Sequence, residues 1–411
     1  MTKTRAGKQP AGWLYLPLRW LSRLVCRLFF GLRVTGAGQI PREGPLLVLS
    51  AHQGMVDFLL LIAALRRRRI RFVATERQFR HPKLHWFYAR LGMIPKVQFH
   101  TDARAVMGIF RALRDGGTVG IFPAGQTSMC GVPAGISPAI AHLVKRAGVN
   151  VCTVSLNGGF FTYPRFAPWF NRGRTEANLE LTFTPDMLKT MSEDEIFGIL
   201  RRRLDYDDYR WQERTGARFH GRGRARGCEN VLFRCPDCGG EGTIRTEKHR
   251  IFCLSCGSEG VMGEDMHIAP LKEGSRFFST LRDWYAWQEH ELARAVEQPD
   301  FRLSLRVICQ RFDPKRFVYA EAGRGMLELD RERIGYRGGF SGEEAEHFLR
   351  HGSLPGCAAG PGKYLELYHQ GPGLVRYVPE DPAQGWRITL IKTAQELLHR
   401  RAAPESVGEK E

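Results

Sequence analysis

The stretch Ser50-Ala51-His52-Gln53-Gly54-Met55-Val56-Asp57-Phe58 sets an imidazole and a carboxylate five positions apart. A histidine is the side chain best suited to take a proton near neutral pH. A carboxylate bonded to one ring nitrogen fixes the tautomer, leaves the other nitrogen as the base, and stabilises the imidazolium once it forms. A second block, Gly120-Ile121-Phe122-Pro123-Ala124-Gly125-Gln126-Thr127-Ser128, brings Pro and Gly together in a tight, amide-rich turn suited to an anionic group. Two Cys-x-x-Cys pairs, Cys235/Cys238 and Cys253/Cys256, stand 14 residues apart. Four thiolates at matched spacing make a closed tetrahedral zinc site, structural because no position is left open for water. Gly239 and Gly257 follow the pairs where a knuckle needs a positive φ. The other cysteines noted, Cys26, Cys130, Cys152, Cys309 and Cys357, lie in mostly apolar surroundings and read as inert core thiols.

The flanking sequence must position these groups. Pro45 to Ala51 is a continuous apolar run, as in a strand buried on both faces, and Asp57 to Leu65 reads as a buried helix. Phe72 to Ala74, Gly92 to Pro95, Val119 to Phe122 and Val149 to Leu156 are further short strands, with helices at Ala103 to Arg114 and Ser137 to Arg146. This alternation predicts an α/β domain with a mainly parallel sheet flanked by helices. In such sheets sites form beyond the carboxyl ends of strands, where both blocks fall. His52, Asp57 and the Pro123–Gly125 turn are therefore expected to converge on one cleft beside the N-terminal basic helix.

The order of the blocks resembles the glycerolipid acyltransferase family, the lysophosphatidic acid acyltransferases and their bacterial relatives. The resemblance covers roughly residues 35 to 210. The family's first motif is His, four residues, Asp, matching His52 and Asp57. Its third, Phe-Pro-Glu-Gly-Thr-Arg-Ser, matches Phe122 to Ser128. Its second block ends a short strand with a basic residue near the acceptor phosphate, for which Lys96 is the nearest candidate. The resemblance implies direct acyl transfer from a thioester, on acyl carrier protein or coenzyme A. It also implies, as acceptor, the hydroxyl of a lysophospholipid such as 1-acylglycerol-3-phosphate, in phospholipid biosynthesis. His52 and Asp57 would be catalytic, and Lys96, Pro123, Ala124 and Gly125 substrate-binding. The sequence departs from the pattern where the motif glutamate is Ala124 and the arginine falls at Thr127 or is absent. Altered acceptor selection is the reading; a decayed site is its alternative. Tyr163 to Phe166, and Leu204 to Gln212 followed by the zinc ribbon, look like a bacterial branch with extended C-termini.

Length, charge and patterning set the context. The chain has 411 residues and a net charge of +18, which calls for an acidic partner. Trp13 to Phe30 is apolar but carries Arg19, Arg23 and Arg27 at a spacing of four. Three arginines, at about 2.5–3.5 kcal/mol each near a bilayer centre, argue against spanning. Trp13, Leu14, Leu16, Trp20, Leu21, Leu24, Phe29 and Phe30 fill the other faces, the pattern of a helix lying in an interface. It is not a cleavable signal. The run Arg66 to Arg69 with Arg71 reads equally as a solvated helix end or as a contact for anionic headgroups. The expected order is a membrane-surface helix (1–34), the acyltransferase domain (35–213), a Gly/Arg linker (214–227), a zinc ribbon (228–265), a helix (266–299), a β-rich domain (300–402) and a disordered tail (403–411). Period-two alternation in Leu303, Leu305, Val307 and Cys309 opens the β-rich domain, and Met326 to Leu329, Tyr364 to Tyr368, Leu374 to Val378 and Trp386 to Leu390 continue it. A final helix at about Thr393 to Arg400 makes a PH-like arrangement one that fits. Expected partners are an anionic lipid surface, the acceptor and the thioester donor, at the cytoplasmic face of the membrane, peripheral or monotopic. Nucleic acid and a redox cofactor are not expected. The rival reading is a catalytically weak or inactive adaptor, membrane-associated or nucleic-acid-binding, built around the ribbon. It gives no reason for the His52 and Phe122 blocks to end buried strands.

Overall fold

A computed structural model of the chain describes residues 9–80, 84–99, 102–313, 316 and 318–402. The tail expected to be disordered lies outside the described residues, as do the first eight of the N-terminal segment.

The N-terminal half is a mainly parallel sheet flanked by helices. Its strands are β1 (Arg33–Thr35), β2 (Leu46–Ser50), β3 (Ile70–Thr75), β4 (Ile94–Lys96), β5 (Thr118–Ile121), β6 (Asn150–Asn157) and β7 (Glu176–Phe183). They lie in the order β1-β7-β6-β2-β5-β3-β4. β2 is central, paired in parallel with β5 on one side and β6 on the other. All five of its residues are buried, as the unbroken apolar run requires. β7 was not anticipated from sequence and pairs antiparallel with β6. Because β2, β3, β4, β5 and β6 run the same way, their carboxyl ends share one edge of the sheet.

Helix α1 (Gly12–Leu28) packs along α2 (Asp57–Ala64) through Tyr15, Cys26 and Phe30. The Tyr15 hydroxyl accepts from the Ile70 amide at 3.0 Å, and Arg19 donates to the Arg66 carbonyl. Of the apolar residues expected on its outer face, Trp13, Leu16, Trp20, Leu21 and Leu24 are exposed, whereas Leu14, Phe29 and Phe30 turn inward. No described helix is long and apolar enough to cross a membrane. In the arginine run only Arg66 and Arg67 are exposed. Arg68 is buried and donates to the carbonyls of Pro41, Glu43 and Gly44, and Arg71 is buried in the sheet. Most of that run is therefore structural.

Helices α3 (Ala103–Arg114), α4 (Ala139–Ala147) and α5 (Glu193–Arg203) follow, then α6 (Asp208–Thr215). In the Gly/Arg stretch 214–227, Ala217, Phe219 and Ala225 are buried, and 219–220 pairs with 172–173. The cysteine region forms a four-stranded antiparallel sheet over 244–270. It packs through Ile244, Ile251 and Met262 against Trp284 of α7 (Leu281–Ala295). The C-terminal part is a seven-stranded antiparallel sheet over 302–379, closed by α8 (Trp386–Ala402). Trp386 to Leu390 is thus the first turn of a helix and not a strand. Trp386, Ile388 and Leu390 alternate with Arg387 and Thr389 and so imitate a strand, while the burial of Ile388 to Gln395 on every side, polar residues included, hides the helical period.

Candidate active site and metal centre

His52 leaves the carboxyl end of β2 and Asp57 opens α2, as the sequence required. The His52 ring is one-quarter exposed and Asp57 is fully buried. Their Nδ1 and Oδ2 atoms lie 2.7 Å apart. The same oxygen accepts from the Gln53 amide at 2.6 Å and the Gly54 amide at 3.0 Å. One carboxylate oxygen thus faces three donors, two of them backbone amides. Asp57 therefore accepts from Nδ1–H and leaves Nε2 with a lone pair. Phe122 stacks on the imidazole with ring centroids 4.2 Å apart, so a residue of the second block orients the histidine of the first.

The loop holding His52 is itself clamped. Gly54 packs against the backbone after β6, where an added Cβ would sit 2.3 Å from the Gly159 carbonyl oxygen. The Gln53 side chain is buried. Its Nε2 donates to the Leu156 carbonyl at 2.7 Å and to Asp208 Oδ1 at 3.0 Å, and its Oε1 accepts from the Gly159 amide at 3.1 Å. Asp208, at the start of α6, also accepts from the amides of Gly158 and Phe160. Burial pushes its carboxyl from an ordinary 3.8 up to about 7, against the lowering pull of those amides and with a raising contribution from Asp57. Sequence reasoning quoted Gln53 and Asp208 inside its motifs but gave them no role. Their partnership spans 155 positions.

His52, Pro123 and Ala124 line one small cavity, with Pro133, Ile136, Leu204 and Tyr206 among its other walls. Asp57 stands behind the ring. The Tyr206 hydroxyl, also unassigned from sequence, lies 3.4 Å from the His52 carbonyl oxygen and 3.3 Å from that of Val132. Gly125 adopts the positive φ expected of the turn (+68°), and its amide is taken up by the Phe122 carbonyl within it. Ala124 presents a methyl group where the resembling motif has a carboxylate. Lys96, at the end of β4, does not line this cavity. It lines a separate cleft further along the edge, and burial lowers its ammonium pKa, offset in part by Asp102.

Residues 31–157 match the family model described as Acyltransferase. These residues form an acyltransferase-family domain. Among solved structures, the 1-acyl-sn-glycerophosphate (LPA) acyltransferase PlsC from Thermotoga maritima matches this chain at 20% identity and a TM-score of 0.40. The match covers 46% of this chain and 77% of that one. The Ran-binding domain of the nuclear complex component Nup2 from Ashbya gossypii matches 23% of this chain and 94% of its own, at 15% identity and a TM-score of 0.19. No curated protein matches. The matched span of the acyltransferase domain contains His52, Asp57 and the Phe122–Ser128 block, whereas Asp208 and Tyr206 lie beyond it.

The second centre lies in the ribbon. One sulfur from each of Cys235, Cys238, Cys253 and Cys256 falls within 4.8 Å of all the others. The Cys235–Cys256 and Cys238–Cys253 sulfurs are 3.9 and 3.7 Å apart. Four thiolates about 2.3 Å from a tetrahedral ion stand about 3.8 Å from one another, so the donor set fits a metal ion. Gly239 and Gly257 take φ of +72° and +68°, and their amides donate back to Cys235 and Cys253 carbonyls, closing both knuckles. Cys26, Cys130, Cys152, Cys309 and Cys357 are buried, with thiols pushed up to about 12 chiefly by desolvation.

Proposed function

We propose that the protein transfers a fatty acyl group from a thioester, on acyl carrier protein or coenzyme A, to the hydroxyl of a lysophospholipid at a membrane surface. The observation that carries this is the 2.7 Å His52–Asp57 contact, with the imidazole at the rim of the cavity that Pro123 and Ala124 also line. His52 Nε2 takes the acceptor hydroxyl proton as the oxygen attacks the thioester carbonyl. The tetrahedral oxyanion collapses, the C–S bond breaks, and the leaving thiolate takes the proton back from the imidazolium. Asp57 stabilises that imidazolium throughout. No enzyme nucleophile is needed, consistent with the burial of the nearby Cys130 and Cys152 thiols.

The apolar rim at Ala124 supports an acceptor other than the one the family glutamate serves. A site missing a polar contact discriminates between acceptors without losing the base that all of them need. The four ribbon cysteines hold one structural zinc, which supplies folding energy to a module with few apolar residues of its own.

Helix α1 lies on the anionic cytoplasmic face of the membrane. Trp13, Leu16, Trp20, Leu21, Leu24 and Leu28 are exposed beside the exposed Arg23 and Arg27. Trp86, half-exposed, extends this surface through its ring contact with Trp13. Met55 and Phe58, which flank Asp57, are also exposed, so the motif helix meets the same surroundings. Incubating purified protein with acyl carrier protein and coenzyme A thioesters and a panel of lysolipids, with products read by mass spectrometry, tests the reading. Failure to acylate any acceptor would refute it.

A further inference from the structure

The carboxylate of Asp208 sits where three segments far apart in sequence meet. It is fully buried and opens α6. Its Oδ1 accepts from Gln53 Nε2 at 3.0 Å and from the Gly158 amide at 2.9 Å, and its Oδ2 accepts from the Phe160 amide at 3.1 Å. Its own backbone amide donates at 3.1 Å to the carbonyl of Gly131, in the chain that follows the second block. That chain returns to the histidine. The Ser128 amide donates at 3.0 Å to the His52 carbonyl, and Ser128 Oγ accepts from the Gly131 amide at 2.8 Å. One residue thus joins the block of His52, the backbone after β6 and the backbone after Phe122–Ser128.

We propose that Asp208 is a positioning residue for acyl transfer: it fixes Gln53, and so the two amides that hold Asp57 against His52. The inference rests on the acyl-transfer reading above. Gln53 carries the argument because it works at both ends. Its backbone amide and that of Gly54 donate to Asp57 Oδ2. Its buried side chain is held by three bonds, to the Leu156 carbonyl, Asp208 and the Gly159 amide. A buried amide bonded at both its oxygen and its nitrogen does not rotate without leaving polar groups unmatched. The direction of the Gln53 amide, and with it the seat of Asp57, follows. A carboxylate suits this place, since all of its side-chain partners are donors and an asparagine would turn its NH₂ toward at least one of them. Asp208 is itself anchored from beyond the matched acyltransferase span. Asp207 caps α6 through the Tyr209 and Arg210 amides and pairs with Arg282 of α7 at 2.7 Å. The buried Tyr209 hydroxyl accepts from the Leu281 amide at 3.0 Å. The helix that follows the cysteine ribbon therefore braces the helix that holds the loop of the histidine.

The test is residue-resolved amide hydrogen exchange on the full-length protein, alongside steady-state turnover. In Asp208→Asn, exchange at Gln53 and Gly54 should rise about ten-fold or more, the factor carried by one hydrogen bond to a charged group. Gly158 and Phe160 should follow, while the amides within β2 stay protected; a role in stability alone would raise exchange across the whole domain. The kcat should fall about ten-fold with KM for the acceptor nearly unchanged. Gln53→Met, which keeps the side-chain length, should lose as much, and the double variant should be little worse than either single, because both break one contact. Arg282→Gln, at a part-exposed site, loosens α6 without entering the network and should raise Gln53 and Gly54 exchange by a smaller factor. Unchanged exchange at Gln53 and Gly54 in folded Asp208→Asn, or in Arg282→Gln should Asp208→Asn not fold, would overturn the proposal. So would a folded Asp208→Asn with kcat within about three-fold of wild type. Locally raised exchange in a protein that acylates nothing would instead leave the clamp standing and remove the acyl-transfer reading.

Discussion

Replacing Asp57 with Asn keeps the shape of the side chain and removes its charge. The carboxylate is fully buried and directs one oxygen at three donors: the His52 ring at 2.7 Å, the Gln53 amide at 2.6 Å and the Gly54 amide at 3.0 Å. An asparagine can set its carbonyl oxygen there and keep the ground-state bonds. Its NH₂ then falls where Oδ1 now accepts from Gly54 at 3.2 Å, placing two donors face to face. Leaving a buried donor unmatched costs about 1–3 kcal/mol of stability. The catalytic cost is separate. A hydrogen bond to a charged partner contributes about 1.5–3 kcal/mol, roughly 10- to 150-fold in rate when the charge develops only on the way to the transition state. Loss of tautomer control extends this toward the 10²–10⁴-fold expected of a disabled general base. The assay is steady-state thiol release from an acyl thioester across acceptor concentrations, with thermal unfolding in parallel. Asp57→Asn should lower kcat by at least about ten-fold with KM for the acceptor nearly unchanged. A variant that stays folded with kcat within about three-fold of wild type would refute the proposed role of the pair.

Three further outcomes follow from other parts of the molecule. The Asp208 carboxyl, near 3.8 when exposed and about 7 when folded, binds its proton more tightly in the fold. The stability this contributes is present below about pH 4 and lost as pH rises through 7, with an upper bound of about 4 kcal/mol at 1.36 kcal/mol per pKa unit. Denaturant titrations should show wild type losing stability relative to Asp208→Asn over that window, and parallel curves would contradict it. Elemental analysis should find one zinc per chain, lost in Cys238→Ser; this cysteine is exposed, so the accompanying fall in Tm reports metal loss rather than core damage. Trp20→Glu with Leu24→Glu removes two exposed side chains that contribute about 1.5–3 kcal/mol each when buried in lipid, so the affinity for anionic vesicles, read by sedimentation, should fall by about 100-fold or more. Binding equal to wild type would place the membrane contact elsewhere.

The parts legible in the sequence were those fixed by local chemistry. A strand that opens on four consecutive apolar residues belongs inside a covered sheet, and a parallel sheet puts the next residues, here His52 onward, at its carboxyl edge. The two cysteine knuckles announced themselves by spacing and by the glycines that follow them. What stayed hidden depends on distant partners. Nothing near Gln53 signals that Asp208 will bond it. β7, by contrast, does carry a local signal, since Ala177, Leu179, Leu181 and Phe183 alternate with Glu176, Asn178, Glu180 and Thr182. The arginine run misled in the other direction. Charge density reads as surface, yet Arg68 finds three backbone carbonyls and becomes internal. Trp386 to Leu390 misled because Trp386, Ile388 and Leu390 alternate with Arg387 and Thr389, so the first turn of a helix imitates a strand. Ala124, where the sequence departs from the motif it resembles, lines the cavity with His52.

The measurement that bears most directly on the account is acyl transfer by wild type against His52→Ala, using matched thioester and lysolipid and following both free thiol and acylated lipid. The account predicts that wild type releases thiol and acylated lipid in equal amounts. His52→Ala should unfold at the same temperature but lose about 10²–10⁴-fold of both signals. Full product formation by folded His52→Ala would show that this histidine is not the base.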